Sequence, residues 1–514
     1  MKRWRTSGEG GWPWLAAGGV AVSLLMVVAL LMLIAGRGLA HFWPASLERV
    51  TLADGSVIAG EPVRHVTTRD GRDEWLYRTG NRDLDGRTWR WLEAGDIVSR
   101  TRPGDLLELQ RERWGPFIGR LVAVREADTT VIDATAGSAR RWQALETRLA
   151  RARALRETIE TRRRETIAPL ARQLAAGTAS AEQRAAFERA RDALTGLREA
   201  LARDSLVLES VDGRRLEQPL ATVLDAWRPN AMGTLDKLGL WGRRVWAFLS
   251  EGPRSANGSD GVWPAIFGTV LLVLLMSLLV TPFGVLAAVY LHEVARQGPV
   301  TRAVRIAVRN LAGVPSIVYG VFGLGVFVYG IGGTLDRWFF SEALPSPTFG
   351  TGGLLWAALT LALLTLPVVI VATEEGLARI PDHQREGALA LGATHYETLT
   401  RVVLPMAMPA MLTGVILAVA RAAGEVAPLM LVGVAKLAPQ LPVDGEFPYL
   451  HLDGKFMHLG YHIYNLGFQS ADAEQALPLV YATALLLVAV IVVLNLTAIF
   501  LRHHLRQRHR ALRH

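Results

Sequence analysis

The chain contains the stretch Arg385-Glu386-Gly387-Ala388-Leu389-Ala390-Leu391-Gly392-Ala393 and, further on, Val402-Val403-Leu404-Pro405. Nine residues separate Gly392 from Val402. The first stretch predicts a short helix over residues 382–391 that ends at Gly392. A second helix is predicted over residues 394–403. It should stop at Pro405, because proline has no backbone N–H to donate. Two short helices in one loop form a protrusion that a groove on another protein can receive.

Apolar runs lie on both sides of this loop, and each is long enough to cross a bilayer, which needs about 20 apolar residues. The chain has 514 residues, of which 50% are hydrophobic, and these collect in runs rather than spreading evenly. This pattern predicts an all-α polytopic membrane protein with six transmembrane helices. The predicted spans cover residues 14–35, 264–291, 311–330, 354–372, 408–434 and 477–501.

Basic residues cluster in alternate connections between the spans, which predicts that both termini face the cytoplasm. The short loop after the third span is not basic, because Arg337 is balanced by Asp336 and Glu342. The net charge of +9 therefore fits membrane flanks better than a nucleic-acid partner. The basic positions are Lys2, Arg3 and Arg5, then Arg296, Arg302, Arg305 and Arg309, then Arg379, Arg385 and Arg401, and finally Arg502, Arg506, Arg508, Arg510 and Arg513.

The first forty residues are predicted to form a cytoplasmic N-terminus and the first span. Gly38-Leu39-Ala40 resembles a signal-peptidase site, so a cleaved signal peptide is an alternative. The apolar run exceeds the roughly 7–15 residues of a signal core. An uncleaved anchor is therefore predicted.

Residues 41–261 form a long polar insert between the first two spans, and long loops are translocated largely regardless of charge. Asp54-Gly55 and Asp212-Gly213 predict two β-hairpin turns. Residues 142–203 are rich in Ala, Leu, Arg and Glu, and they predict an antiparallel helical hairpin with its tip at Gly177 to Ser180. The insert is therefore predicted to be an extracytoplasmic α+β domain, a small β-domain interrupted by that hairpin.

A predicted amphipathic helix over residues 231–250 precedes the second span. Apolar residues recur on one side, with Arg243 and Arg244 on the other. Such a helix lies in the headgroup region of a membrane or packs on the insert, and the pattern does not separate the two. The apolar positions are Leu235, Leu238, Trp241, Val245, Trp246 and Leu249.

Arg421 and Glu425 are charged residues inside the predicted fifth span. A charge there costs roughly 2.5–3.5 kcal/mol on insertion scales, so a pair near mid-membrane indicates a functional site. Four residues apart, they share one helix face. A guanidinium donates to two oxygens at once, which suits a tetrahedral oxyanion. The alternative is a static ion pair between packed helices.

The stretch from Glu386 to Pro405 resembles the EAA loop of ABC-importer permeases, with every offset matched and Gly387 in the place of the usual alanine. The resemblance implies that this loop, within residues 382–405, binds a separate ATPase. A plain helical connection is the alternative. The residues that carry the implied coupling role are Glu386, Gly387, Ala388, Gly392, Leu404 and Pro405.

Two further motifs resemble the phosphate permease family of PstA type: Gly313-Val314-Pro315-Ser316-Ile317-Val318-Tyr319-Gly320 and Arg421-Ala-Ala-Gly-Glu425-Val-Ala-Pro428. The resemblance implies the type I ABC importer permease fold over residues 262–502, before a basic tail at 503–514. It also implies that Arg421 and Glu425 act in phosphate passage. Helix flexibility or packing is expected from Gly313, Pro315, Ser316, Gly320, Gly424 and Pro428.

The chain contains no recognisable nucleotide-binding loop, because Gly454-Lys455 is followed by Phe456 rather than Ser or Thr. No cofactor is expected in this chain, and ATP and Mg²⁺ should bind a partner ATPase. The family resemblance implies a bacterial inner-membrane complex with a second permease (PstC type), an ATPase dimer (PstB type) and a periplasmic phosphate-binding protein (PstS type). The chain itself is then not an enzyme.

Alternative functions remain open at this point. Arginine chemistry does not separate phosphate from sulfate or molybdate, and a membrane-anchored phosphate-signalling scaffold is a second alternative. His451, His458 and His462 lie near Asp453 in the loop before the sixth span. Their spacing matches no standard metal site, so solvated loop histidines are expected there and no metal.

Overall fold

The computed structural model describes residues 12–127, 129–175, 180–253, 261–438, 441–445, 449–470 and 473–511. The chain divides into two compact units. The membrane unit is Met1–Phe42 with Gly242–His514, and the insert unit is Trp43–Trp241. The predicted basic residues at positions 2, 3, 5 and 513 lie outside the described residues, as does most of the predicted hairpin tip.

Six helices in the described part of the membrane unit are long and apolar enough to cross a membrane, as predicted. The first runs through the suspected cleavage site without a break, and its uncleaved state stays a prediction. The six spans are Trp14–Ala40, Trp263–Val294, Ser316–Phe339, Leu354–Ala378, His395–Gly424 and Ala476–His504. The sixth belongs to a longer helix, Ala473–Ala511.

The fourth span is the most buried of the six, because the second and fifth spans pack against it. Small residues bring the helices close, as in other membrane bundles. A Cβ at Gly284 in the second span would lie 2.6 Å from Cγ1 of Val369, and one at Gly414 in the fifth would lie 2.8 Å from Cβ of Ala372. The core of the membrane unit therefore forms around the fourth span.

The third span begins later than predicted. A separate helix, Pro299–Leu311, follows the second span and ends before Pro315, so residues 311–315 are not part of the membrane helix. The span then runs as Ser316–Phe322, a π-helical stretch Gly323–Gly332, and Gly333–Phe339. The buried carboxylate of Asp336 accepts backbone hydrogen bonds from Phe349 and Gly350, which fixes the connection to the fourth span.

The fifth span corrects two predictions about its ends. The helix His395–Thr398 does not stop at Pro405, because a π-helical stretch, Leu399–Val403, leads directly into the helix Leu404–Gly424. A wider turn before the proline lets the helix continue although Pro405 donates no N–H. At the other end the helix stops at Gly424 rather than at residue 434. Two short helices follow it, Leu429–Val432 and Leu459–Phe468.

The insert unit contains two antiparallel sheets, which is more β-structure than the two predicted hairpins. Its strands are β1 Glu48–Leu52, β2 Val57–Thr67, β3 Asp73–Arg78, β4 Trp89–Glu93, β5 Ile97–Thr101, β6 Leu107–Arg111, β7 Phe117–Glu126, β8 Thr129–Ile132, β9 Asp204–Glu209, β10 Arg215–Pro219 and β11 Val223–Trp227. One sheet has the order β4-β3-β2-β1-β5, and the other has the order β10-β9-β7-β6-β11 with β8 beside β7.

Both predicted hairpin turns are confirmed. Gly55 joins β1 to β2 with φ of 81°, and Gly213 joins β9 to β10 with φ of 88°. Glycine adopts this left-handed region without steric cost. Short helices connect other strands at Arg82–Asp85, Ala94–Asp96 and Leu220–Thr222.

The helical hairpin is confirmed and is part of the insert core. Its first arm is the helix Ser138–Arg162, a π-helical stretch Arg163–Ile167 and the helix Ala168–Ala175, and its second arm is Ala181–Ala202. Ser180 caps the second arm in a capping box with Gln183. Leu145 and Leu149 pack in one cluster with strand residues such as Leu206.

The predicted amphipathic helix is observed as Thr234–Ser250. Leu235 and Trp246 of its predicted apolar side are 84% and 70% exposed, whereas Leu240 and Phe248 are buried. Within the membrane unit, Phe248 packs against Phe42 at the end of the first span, with ring centroids 5.1 Å apart. The placement of this helix in the headgroup region stays a prediction.

Candidate functional site

The two predicted pathway residues lie at the C-terminal end of the fifth span. Arg421 is in the last turn of the helix, and Glu425 follows the helix with an extended backbone (φ −78°, ψ 132°). The prediction that both residues share one helix face is therefore wrong, and the predicted position of the pair near mid-membrane stays a prediction. The sequence Gly424-Glu425-Val-Ala-Pro428 breaks the helix sooner than expected, because its proline cannot continue the hydrogen-bond ladder.

The side chains nevertheless meet. Nε of Arg421 lies 3.7 Å from Oε1 of Glu425, and the side chains are 33% and 21% exposed. Within the described part of the chain, neither side chain makes a hydrogen bond of 3.5 Å or shorter. Arg421 is also a basic residue in the last turn of its helix, where the helix dipole stabilises a positive charge.

The third span brings the second predicted motif to this helix end. Gly320 and Pro428 are both buried, and a Cβ at Gly320 would lie 2.7 Å from the Cα of Pro428. Only glycine permits this backbone approach. The two motifs identified separately in the sequence are thus in direct contact. Gly424, Gly313 and Pro315 are exposed and take no part in this packing.

This arrangement leaves an arginine with several unused donors next to one loosely held carboxylate. A guanidinium has five N–H groups in a planar fork, and a tetrahedral oxyanion can accept two of them at once. The buried neighbours Ala422 and Ala423 fix the last helical turn that carries Arg421. The geometry therefore suits reversible contact with an anion better than a closed, fully hydrogen-bonded ion pair.

The predicted protruding loop is observed as two helical segments, of which the second continues into the fifth span. The first, Asp382–Ala390, ends in a turn in which the N–H groups of Gly392 and Ala393 donate to Leu389 and Ala388. Gly392 has φ of 88°, so a residue with a side chain would be strained there. Thr394 then caps the next helix in a capping box with Glu397.

The tip of this loop is exposed. Glu386 and Gly387 face solvent, and Leu391 and Tyr396 are 91% and 74% exposed. The loop is too short to cross a membrane, so large apolar side chains that are this exposed indicate a protein-contact surface. We call the segment 382–403 the knob.

Half-buried ion pairs hold Arg385 of the knob and, separately, Arg305 of the helix Pro299–Leu311 against the ends of the spans. Arg385 donates to the carbonyl oxygens of Ile380 (2.7 Å) and Leu377 (3.1 Å) and pairs with Glu293 at 2.9 Å. Arg305 pairs with Glu374 at 3.0 Å. Glu293 and Glu374 were not predicted from the sequence. The sequence feature that could have identified them is an acidic residue at the end of an apolar run, next to a basic loop.

Two of the three loop histidines differ from the prediction. His458 and His462 are 0% and 5% exposed, so they are core residues rather than solvated ones, and burial lowers the pKa of each to about 4. They are buried because the segment from Met457 folds back against the second span, where Thr269 accepts the N–H of Leu459 at 2.9 Å. His451 lies 3.0 Å from Asp444. Among the described residues, no group of three or more His, Cys, Asp or Glu is placed to hold a metal ion.

Comparison with known proteins finds similarity to membrane transport components. Residues 280–511 match the family described as binding-protein-dependent transport system inner membrane component. The probable ABC transporter permease protein YqgH of Bacillus subtilis is 33% identical over 198 residues, which are 38% of this chain and 60% of YqgH. The phosphate transport system permease protein PstA 1 of Mycobacterium tuberculosis is 36% identical over 189 residues, 37% of this chain and 56% of that protein. The match thus spans less than two thirds of these relatives.

Residues 280–511 are therefore similar to the inner-membrane components of binding-protein-dependent transport systems, and the described residues of the membrane unit contain six helices long and apolar enough to cross a membrane. Within that class, the resemblance to phosphate permeases of PstA type is confirmed by relatives of that name at 33–36% identity. A solved structure of the MetNI methionine ABC transporter covers 47% of this chain and 94% of its own, at 17% identity and a TM-score of 0.34. A similarity of that size says nothing about substrate.

Proposed function

We propose that the chain is the permease subunit of an ATP-driven importer of inorganic phosphate. The observation that carries the proposal is the loosely paired guanidinium of Arg421 at the broken end of the fifth span, 3.7 Å from Glu425. The names of the PstA relatives support phosphate as the substrate. Two motifs that the sequence associates with phosphate permeases meet at this point, through Gly320 and Pro428.

In this proposal, phosphate passes the end of the fifth span by exchanging with Glu425 as the partner of Arg421. Glu425 screens the arginine when no anion is present, and the open ion pair needs little energy to separate. A tetrahedral oxyanion then takes two N–H donors of the guanidinium. The partial exposure of both side chains supports such an exchange, since a completely buried charge pair would resist it.

The energy enters through the knob. A groove on a separate ATPase receives the exposed residues around Glu386 and Leu391, and the ATPase binds ATP and Mg²⁺. Arg385 transmits motion of the knob to the second span through Glu293. The chain then contributes no nucleotide site of its own, and a second permease of PstC type completes the passage.

The remaining partners follow from the same proposal. A phosphate-binding protein of PstS type delivers the anion on the side of the membrane opposite the knob. Two ATPase subunits of PstB type bind the two permeases on the knob side. The knob and both termini lie in the cytoplasm, and the insert unit lies outside it. The alternation of basic loops supports this orientation.

Uptake in proteoliposomes tests the proposal. The chain is reconstituted with its partner subunits, and labelled phosphate is added with ATP inside the vesicles. Phosphate should accumulate, and excess unlabelled sulfate or molybdate should compete only weakly. Preferential accumulation of sulfate or molybdate would assign the chain to another oxyanion importer. A complex that moves no oxyanion, although the ATPase is bound, would favour the signalling-scaffold alternative.

A further inference from the structure

A group of arginines lines a cavity in the insert unit. The cavity has a volume of about 210 Å³. Four arginines and two carboxylates line it, which leaves a net charge of +2 among these six side chains. They are Arg120, Arg141, Arg215, Arg228, Asp105 and Glu209.

Two of the four arginines are neutralised by the carboxylates. Arg120, Glu209 and Arg215 occupy paired positions on the adjacent strands β7, β9 and β10. Nε of Arg215 lies 2.8 Å from Glu209, and Nε of Arg120 lies 2.8 Å from Asp105. These ion pairs form the strand side of the cavity and use both of its carboxylates.

The other two arginines have no such partner. Arg141 makes one long hydrogen bond, 3.4 Å from its Nη1 to the carbonyl oxygen of Val122. Arg228 lies over the ring of Trp142, 4.6 Å from its centroid. Among the described residues, neither has a carboxylate oxygen within 4.0 Å, and the Nε atom of each is buried without a hydrogen-bond partner. Burial lowers the pKa of Arg228 by more than the attraction of the Glu146 carboxylate raises it.

A helix N-terminus adds to the positive potential of this cavity. Ser138, which begins the helix Ser138–Arg162, lines the cavity, and Arg141 belongs to its first turn. The preceding residue, Gly137, provides no side chain to cap the free N–H groups. Free N–H groups and the helix dipole both favour an anion at this position.

We infer that this cavity is a binding site for a small tetrahedral oxyanion such as inorganic phosphate, held by Arg141 and Arg228. The two guanidiniums have free donors, the carboxylates are already used, and the volume admits a small anion with a few waters. The ring of Trp142 contacts the Arg228 guanidinium by a cation–π interaction, and the indole N–H of Trp142 donates to Glu146 at 2.7 Å. The site goes beyond the proposed translocation function and does not require that Arg421 carry phosphate.

Chemical modification of arginine tests the site in the full-length chain. The chain is purified in detergent with Arg421→Gln as background, treated with phenylglyoxal, and mapped by peptide mass spectrometry. Phosphate at roughly ten times its Kd should slow modification of Arg141 and Arg228 by about tenfold. Potassium chloride at equal ionic strength should not. Equal modification rates with phosphate and chloride would overturn the inference.

Binding stoichiometry provides a second readout that does not depend on reagent access. In equilibrium dialysis with labelled phosphate, the Arg141→Gln/Arg228→Gln variant should bind one phosphate fewer per chain than its parent. The control is Arg125→Gln. Arg125 lies on strand β7, pairs with Glu217 and does not line the cavity, so this variant should leave the stoichiometry unchanged. Equal stoichiometry in parent and double variant would contradict the site. Protection by anionic phosphatidylglycerol nanodiscs, or by an acidic protein, without protection by free phosphate would also contradict it.

Discussion

Arg421 combines a charge with a particular position in the helix, and both are needed for the chemistry proposed here. In the middle of an unbroken span, its pair with Glu425 would share one helix face and close tightly. At the end of the span, the extended backbone of Glu425 leaves the atoms 3.7 Å apart. The cation is then stabilised by the helix dipole and only partly by the carboxylate. Because Glu425 provides only part of the stabilisation of Arg421, a phosphate anion can replace it as the partner of the guanidinium.

Gly320 is the residue on which the packing of this helix end depends. Gly320→Ala places a Cβ within 2.7 Å of the Pro428 backbone, which cannot move away as a side-chain tip would. Overpacking of this kind costs about 1–3 kcal/mol. We expect a lower thermal unfolding midpoint and reduced phosphate uptake. Gly325→Ala in the same span is the control, because nothing lies within 4 Å of its Cβ position. Equal effects of the two variants would contradict the packing argument.

His458 and His462 make stability depend on pH. Both pKa values are lowered from 6.5 to about 4 in the folded chain, so the unfolded chain binds more protons between these values. The free energy of unfolding should therefore fall as the pH drops below 6.5, by up to about 3 kcal/mol per histidine near pH 4. Unfolding midpoints from pH 7 to pH 5 measure this effect.

The matched variants for the pH effect are His458→Asn with His462→Asn, and His451→Gln as control. The double variant should flatten the pH dependence between 6.5 and 5, and the control should keep the parent's slope. An unchanged slope in the double variant would show that other groups cause the acid sensitivity.

The turn of the knob and the ion pair at its base have different structural roles. Gly392 sets the angle between the two short helices through its left-handed backbone, and Arg385 fixes the first helix to Glu293. The tip itself has few contacts and is shaped by capping interactions. A rigid base and an exposed tip are what a coupling element requires.

Gly392→Val tests the turn. A β-branched side chain at φ of 88° costs roughly 1–2 kcal/mol and changes the angle between the knob helices. ATP hydrolysis by the assembled complex should continue while phosphate uptake falls. Gly387→Ala is the control, since it lies within a helix with open space around it and should stabilise that helix by about 1 kcal/mol. Full coupling in the Gly392→Val complex would argue against a docking role.

Glu293→Gln tests the base of the knob. The substitution leaves Arg385, whose side chain is only 17% exposed, without the less exposed of its two carboxylate partners. We expect loss of about 1–3 kcal/mol of stability and weaker binding of the ATPase in a pull-down assay. Asp382→Asn is the control, because Asp382 also contacts Arg385 but is 88% exposed. A pull-down equal to wild type in both variants would exclude the transmission path.

For the whole molecule, the insert unit is predicted to be dispensable for the translocation step. Deletion of residues 142–203 would remove Leu145 and Leu149 from the insert core and unfold the unit, so it is a poor test. Replacing only residues 165–191 by a short Gly-Ser linker removes the distal hairpin and keeps that core. Uptake should stay within about twofold of wild type, because no named pathway residue is touched. Complete loss of uptake by a correctly assembled complex would contradict the prediction.

The sequence predicts the parts of this molecule whose signals are periodic or local. Six apolar runs, two Asp-Gly turns and the helical hairpin correspond to observed elements. The sequence does not predict where the fifth span ends, because apolar residues continue to residue 434 after the chain has left the helix. It also misses most strands of the insert. Their register depends on pairing between distant segments, such as β7 with β9.

The candidate site shows the same division. Arg421 and Glu425 are identified because charges stand out in an apolar run, and the structure brings them together with the Gly320 motif. Their depth and backbone geometry depend on Pro428 and Gly320 packing across two spans, which no single stretch of sequence records. The burial of His458 likewise depends on the second span folding against a distant loop.

The most direct test of the central claim compares ATP-dependent uptake of labelled phosphate by proteoliposomes containing wild type, Arg421→Gln or Arg337→Gln. Arg337 is an arginine outside the proposed passage and serves as the control. Assembly with the ATPase is verified for each variant before uptake is measured. The account predicts normal uptake by the control and loss of at least about 90% of uptake by Arg421→Gln, equivalent to about 1.4 kcal/mol or more. Wild-type uptake by the Arg421→Gln complex would contradict it.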